Sequence, residues 1–119
     1  MPSEQSPTRR WLNDILYHIQ LAQSFVAGLD YEAFRDDLLR FHAVTRCLEI
    51  ISEASRRLPD ALKERHPSIA WKEMAGAGNI YRHDYEDVAA QFVWETVRRS
   101  LSPLRAVIEQ ELTQLDRKA

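Results

Sequence analysis

Apolar residues recur along this chain at helical spacing, and nowhere do they alternate between turn signals in the manner of a strand. A first helix is predicted from about Trp11 to Ala27, with Leu12, Ile15, Ile19, Ala22 and Val26 on one face. Gly28 gives it an exit and Asp30 stands ready as the N-cap of the next helix. That second helix reads as continuous from about Tyr31 to Leu58 and stops at Pro59. Asp60 then caps a short helix to about Arg65, and "HPSIAW" reads as an extended turn. A further helix starts between Ser68 and Trp71 and runs into the stretch "GAGNIYRHDYEDV". The last begins near Asp87 and carries Val93, Val97, Leu101, Leu104, Ile108 and Leu115 at helical spacing. Pro103 kinks or restarts it, with Ser102 as a local cap. The expected fold is all-α, an antiparallel bundle of four to five helices with a kinked last helix. Residues 1–9 read as a flexible tail and residues 10–116 as a single domain.

The second helix carries more than a core face. At about 100° per residue, His42, Arg46, Glu49 and Glu53 fall on one polar stripe. Phe34, Leu38, Phe41, Val44, Leu48 and Ile51 flank it on one side, and Leu39, Ala43, Cys47, Ile50 and Ala54 on the other. A helix apolar on both flanks is packed on both sides, which would set the stripe in a cleft. Glu49 and Glu53 are like charges one turn apart and call for a nearby cation. The stripe is either a ladder of ordinary ion pairs or the lining of a functional cleft.

Composition narrows the classes. At 119 residues the chain suits one domain, and 45% hydrophobic with 29% charged residues fits a globular protein. The single cysteine, Cys47, excludes a disulfide framework and a thiolate cluster. The opening "MPSEQSPTRR" lacks the apolar centre of a signal peptide, and no apolar run nears the roughly 18 residues of a membrane span. The expected location is cytoplasmic. A net charge of −2 gives no global attraction to nucleic acid, so any RNA contact must use local arginines. Arg56–Arg57 and Arg98–Arg99 are such pairs, although adjacent arginines also occur on plain solvated faces.

Chemistry concentrates in residues 76–88. Gly76 and Gly78 do not form a phosphate-binding fingerprint, because the third glycine would fall on Tyr81 and no strand precedes them. His83 has no second histidine at helical spacing, so no metal site is expected. Neither a serine elbow nor a cysteine nucleophile lies near. What remains is Arg-His-x-Tyr with an upstream asparagine. His83 suits acid–base work near neutral pH, and Arg82 offers a planar fork suited to phosphate. Tyr85 adds a hydroxyl; if the segment is helical, Asn79 and His83 share a face at i, i+4, and if it is extended from residue 83, His83 and Tyr85 project to the same side. Each also has a structural reading: His83 and Tyr85 as packing residues, Arg82 as an ion-pair partner of Glu49 or Glu53.

Four blocks carry a resemblance over nearly the whole chain: "WLNDILYHIQLAQSFVAGLDYEAF", "AVTRCLEIISEASRRLP", "HPSIAWKEMAGAGNIYRHDY" and "VWETVRRSLSPLRAVIE". Their order and spacing resemble the HepT-like branch of the HEPN domains, small helical bundles of prokaryotic toxin–antitoxin pairs. The resemblance implies a HEPN-type bundle and a metal-independent endoribonuclease that needs no cofactor. In that family an Arg, then four to six residues, then His-x-Tyr form the site; the ribose 2′-hydroxyl attacks phosphate, His is acid–base and Arg steadies the phosphorane. It further implies a homodimer with two motifs beside a shared cleft; the small residues of the flank Ala43, Cys47, Ile50 and Ala54, and not the resemblance, make that flank the expected dimer face. A minimal nucleotidyltransferase antitoxin is the implied partner, as in type VII-like systems, and Tyr85 the residue it modifies with AMP. His83 and Tyr85 match the motif, but its arginine falls on Gly78, followed by Asn79. Arg82 is then the first candidate for the phosphate role and Arg46 the second, in a cleft lined by Arg46, Glu49 and Glu53. The alternative is a catalytically weak or inactive dimeric module that binds the nucleotidyltransferase and is AMPylated by it.

Overall fold

A computed structural model describes residues 6–79 and 86–118. Among them the chain is all-α, with seven helices in the order α1 Pro7–Val26, α2 Tyr31–Asp36, α3 Leu38–Arg57, α4 Asp60–Glu64, α5 Trp71–Gly76, α6 Glu86–Arg99 and α7 Leu101–Lys118. The long helices α1, α3 and α7 form the centre. Trp11 and Asp14 of α1 share a groove with Glu53 and Arg57 of α3, so the start of α1 lies beside the end of α3 and the two are antiparallel. Helix α7 is antiparallel to α1 by the same logic, because Arg9 pairs with Asp116 at 2.9 Å and Gln23 bonds Ser102 and Arg105.

The predicted face of α1 is the observed one: Leu12, Ile15, Ile19, Ala22 and Val26 are all buried. The helix starts at Pro7 instead of Trp11, so the expected tail loses Pro7, Thr8 and Arg9. Ser6 caps it by accepting from the Arg9 amide at 3.1 Å, and proline suits the first helical position because its missing N–H has no partner there anyway. At the other end Gly28 takes φ +78°, and Asp30 caps α2 through the Ala33 amide at 2.8 Å.

The helix expected from Tyr31 to Leu58 is two helices. Asp37 leaves helical geometry at φ −102°, ψ 90°, and its carboxylate accepts from the Arg40 amide at 3.1 Å. A short acceptor that bonds its own backbone competes with helix continuation. The break lets Phe34 enter the core while Leu38 and Leu39 stay exposed, at 60% and 81%. Burial on the flanks of α3 therefore takes in Val44, Cys47, Leu48, Ile51 and Ala54, leaves Ile50 half-buried and fails in the first turn. Cys47 and Ala54 lie inside the protein's own core, which removes them from the expected dimer face. Pro59, not Asp60, occupies the N-cap of α4.

The last helix likewise divides, at Ser100, into α6 and α7, which raises the count above the expected four to five. The restart precedes Pro103, which sits in the first turn of α7 where it removes no internal bond. Ser102 is not the cap; its hydroxyl accepts from Gln23 of α1 at 3.2 Å. Val93, Val97, Leu101, Leu104 and Ile108 are buried as the spacing predicts.

Candidate functional site

The polar stripe of α3 lines a groove of about 680 Å³ between the start of α1, the second half of α3 and the turn that follows α5. Arg46, Glu49 and Glu53 are in its wall, as expected; His42 is not, and its ring instead meets Phe41 edge-on at 5.2 Å. The cation that Glu49 and Glu53 required is supplied three times over. Arg46 pairs with Glu49 at 3.3 Å, and Arg56 and Arg57 converge on Glu53 at 2.6 and 2.9 Å. The two guanidinium groups hold the Glu53 carboxyl below the usual carboxylate range, Arg56 contributing most. Arg56 also donates to the carbonyl of Ala75, satisfying an orphan acceptor in the last turn of α5 and tying that helix to α3.

Asn79 stands at the rim of the same groove, its amide bonded to the Gly76 carbonyl at 3.1 Å. Gly78 beside it lies flat on α3. A Cβ there would sit 2.8 Å from the Glu49 Cα, 2.9 Å from the Ser52 Oγ and 3.1 Å from the Leu48 carbonyl. The position where the motif arginine would fall therefore has no room for any side chain unless the turn moves off α3. Gly78 is a close-approach glycine. Arg82, His83 and Tyr85, the catalytic and modification residues expected from the sequence, lie outside the described residues.

The groove also takes in Trp11, Asp14 and Ser52, which the sequence does not point to, and Arg56 and Arg57, which it offers only as an arginine pair. Arg56 and Arg57 were signalled by their spacing of three and four from Glu53, a pattern that aims all three side chains together. Trp11 and Asp14 had no such local signal, because only tertiary pairing brings the start of α1 to the end of α3. A second polar cluster at the opposite end of α5 was also missed. Buried Glu111 of α7 accepts from Arg65 at 2.7 and 3.2 Å and lies 2.6 Å from His66 Nε2. The Arg65 fork holds its carboxyl below the ordinary range against the opposing effect of burial, with help from His66.

The geometry is that of an all-α bundle with an arginine-lined groove at the end of α5. A family model described as "Ribonuclease HepT-like" matches residues 15–111. The chain belongs to the HepT-like ribonuclease family. It is 33% identical over 110 residues to a protein of Methanocaldococcus jannaschii named as a candidate RNase, covering 92% of this chain and 95% of the relative. It is 36% identical over 99 residues to the "Probable ribonuclease HepT" of Thermococcus cleftensis, covering 83% and 90%. A candidate RNase of Caldanaerobacter subterraneus is 33% identical over 104 residues, covering 87% and 93%. No solved structure matches the chain.

Proposed function

We propose that this chain is a toxin-type, metal-independent endoribonuclease of a type VII-like toxin–antitoxin pair, acting in the cytoplasm as a homodimer under the control of a minimal nucleotidyltransferase. Beside family membership, one observation supports the ribonuclease part. Asn79, from which the chain enters its Arg82-His83-x-Tyr85 segment, lines a groove with Arg46, Arg56 and Arg57. In this reading the 2′-oxygen of a ribose attacks the adjacent phosphorus. The 2′-O–P bond forms, the bond to the 5′-oxygen breaks, and the products are a 2′,3′-cyclic phosphate and a 5′-hydroxyl. His83 takes the 2′ proton and protonates the leaving 5′-oxygen, a role worth about 10²–10⁴-fold. Arg82 opposes the charge that develops on phosphorus, with Asn79 and Tyr85 in support and Arg46, Glu49 and Glu53 shaping the cleft.

The deciding experiment is cleavage of single-stranded RNA by pure protein in the presence of a chelator. Wild type is expected to give cyclic-phosphate ends and His83→Ala to lose activity by at least about a hundredfold. Wild type that leaves RNA intact overturns the enzyme reading. For control by the partner, incubation with the nucleotidyltransferase and ATP is expected to add the mass of AMP in integral steps, and Tyr85→Phe to abolish the gain. AMP uptake at Tyr85 without any RNA cleavage would make the chain the non-catalytic module instead.

A further inference from the structure

We infer that the groove between α1 and α3 seats one unpaired nucleotide of single-stranded RNA, its base against Trp11 and its phosphate on Arg46. This rests on the ribonuclease reading and goes beyond it by naming the groove residues that hold an unpaired nucleotide.

The first argument is hydrogen-bond accounting. Trp11, Asp14 and Asn79 all line the groove, and the exposed side chains of Asp14 and Asn79 make no hydrogen bond to a described residue. The Asp14 carboxylate offers a base edge an acceptor and the Asn79 carboxamide both a donor and an acceptor, while Trp11 offers its ring face. The three come from two distant parts of the chain, so the tertiary fold is what converges them on one space.

The second argument separates the three arginines. Arg56 is committed to Glu53 and the Ala75 carbonyl, and Arg57 to Glu53. Arg46 has a single 3.3 Å contact with Glu49 and is 71% exposed. It is the groove cation most easily turned to a phosphate.

The third argument is charge. Arg46, Arg56 and Arg57 are balanced in the wall by Asp14, Glu49 and Glu53. Such a groove is no electrostatic track for a duplex backbone. Recognition must come from a base face and edge, and those are available only where a base is unstacked. Trp11, half-buried against the core, offers a rigid aromatic surface for it. The groove's size, about 680 Å³, is in the range of sites for ligands of nucleotide dimensions.

The test uses a short single-stranded RNA with 2′-O-methyl riboses, which cannot be cleaved by 2′ attack, and follows binding by anisotropy. Trp11→Ala is expected to weaken binding about ten- to a hundredfold, and Trp11→Phe, which keeps both packing and stacking, to restore it to within about threefold. Arg46→Ala is expected to weaken binding about tenfold and to lower the slope of log K against log salt by about 1. Arg99→Ala, on the far side of α5, should bind as wild type. The same sequence as a duplex should bind at least about tenfold more weakly. Wild-type affinity in Trp11→Ala and Arg46→Ala, with cleavage still dependent on His83, overturns the nucleotide seat and leaves the ribonuclease reading standing. Equal affinity for duplex, or full competition by free AMP at the RNA's own Kd, overturns the assignment to unpaired RNA. A wild type that neither binds nor cleaves RNA removes both.

Discussion

The two ends of α5 are built from the same kinds of residue on opposite plans. At its start, Arg65, His66 and Glu111 close on one another: the carboxylate is 7% exposed and receives three contacts. The Trp71 indole N–H is shared between the carbonyls of Lys63 and His66 at 3.1 and 3.0 Å, which fixes the helix to the loop before it. At its end, Asp14, Asn79 and Trp11 border an open groove, and the exposed side chains of Asp14 and Asn79 bond no described residue. Polar groups that are buried and paired anchor a fold; exposed polar groups around a groove are met by water and stay free to exchange it for a ligand.

The largest expected effect breaks the anchored end. Glu111→Ala removes the acceptor for both Arg65 and His66, and loss of one partner from a buried charged cluster costs about 3–5 kcal/mol where both charges are enclosed. Arg65 is 55% exposed and can turn to water, so about 2–3 kcal/mol is expected, a fall of roughly 10 °C in Tm by thermal unfolding. RNA affinity measured well below Tm should stay unchanged. A variant that stays folded and yet fails to bind would show that the open end depends on the anchor.

The same residue gives a pH dependence whose sign is fixed by its lowered pKa. Glu111 ordinarily titrates at 4.5 and lower than that in the fold, so its stabilisation is complete above about 4.5 and is lost as pH falls through the folded value. Urea unfolding at stepped pH should show wild type well above Glu111→Gln near neutrality, with the gap narrowing in acid. A gap that widens in acid would contradict the ion pairing.

How much of this was legible in the sequence depends on how local the cause is. Helical periodicity alone decides the face of α1 and most of that of α7, where Leu115 is only partly buried and Glu111 turns inward. The same spacing sets the stripe of His42, Arg46, Glu49 and Glu53 in a cleft, which holds for the last three and not for His42. The break at Asp37 was missed because apolar spacing runs straight through it, and only the side chain's bond to the Arg40 amide ends the helix. Glu111 gave no signal, being 45 residues from His66. Gly78 was read as a vacancy left by an arginine, whereas contact with α3 accounts for it by steric fit alone.

That correction sets the next prediction, at the open end. Gly78→Ala drives a Cβ into the Glu49 and Leu48 backbone and is expected to cost about 1–3 kcal/mol. Gly76→Ala, two residues earlier, meets nothing within 4 Å and replaces glycine at the last position of a helix. It should be neutral or stabilising by up to about 1 kcal/mol. Chemical unfolding of the pair reads the difference. Gly78→Arg, which restores the motif's arginine on paper, should lower RNA cleavage instead of raising it, since the turn carrying Asn79 must lift from α3. A gain in activity would mean that the turn has an alternative seat.

The smallest expected effect sharpens the comparison most. Arg46→Ala removes one long ion pair from a side chain 71% exposed, and such pairs contribute about 0–1 kcal/mol. Its Tm should therefore stay within about 2 °C of wild type, corresponding to about 0.5 kcal/mol for a domain of this size. The same substitution is expected to weaken RNA binding about tenfold. A residue that matters for the ligand and not for the fold is what an open site requires, just as Glu111 should matter for the fold and not for the ligand. If Arg46→Ala lowers Tm as far as Glu111→Ala does, its contact with Glu49 is an anchor like the one at the start of α5, and the two ends are not different in kind.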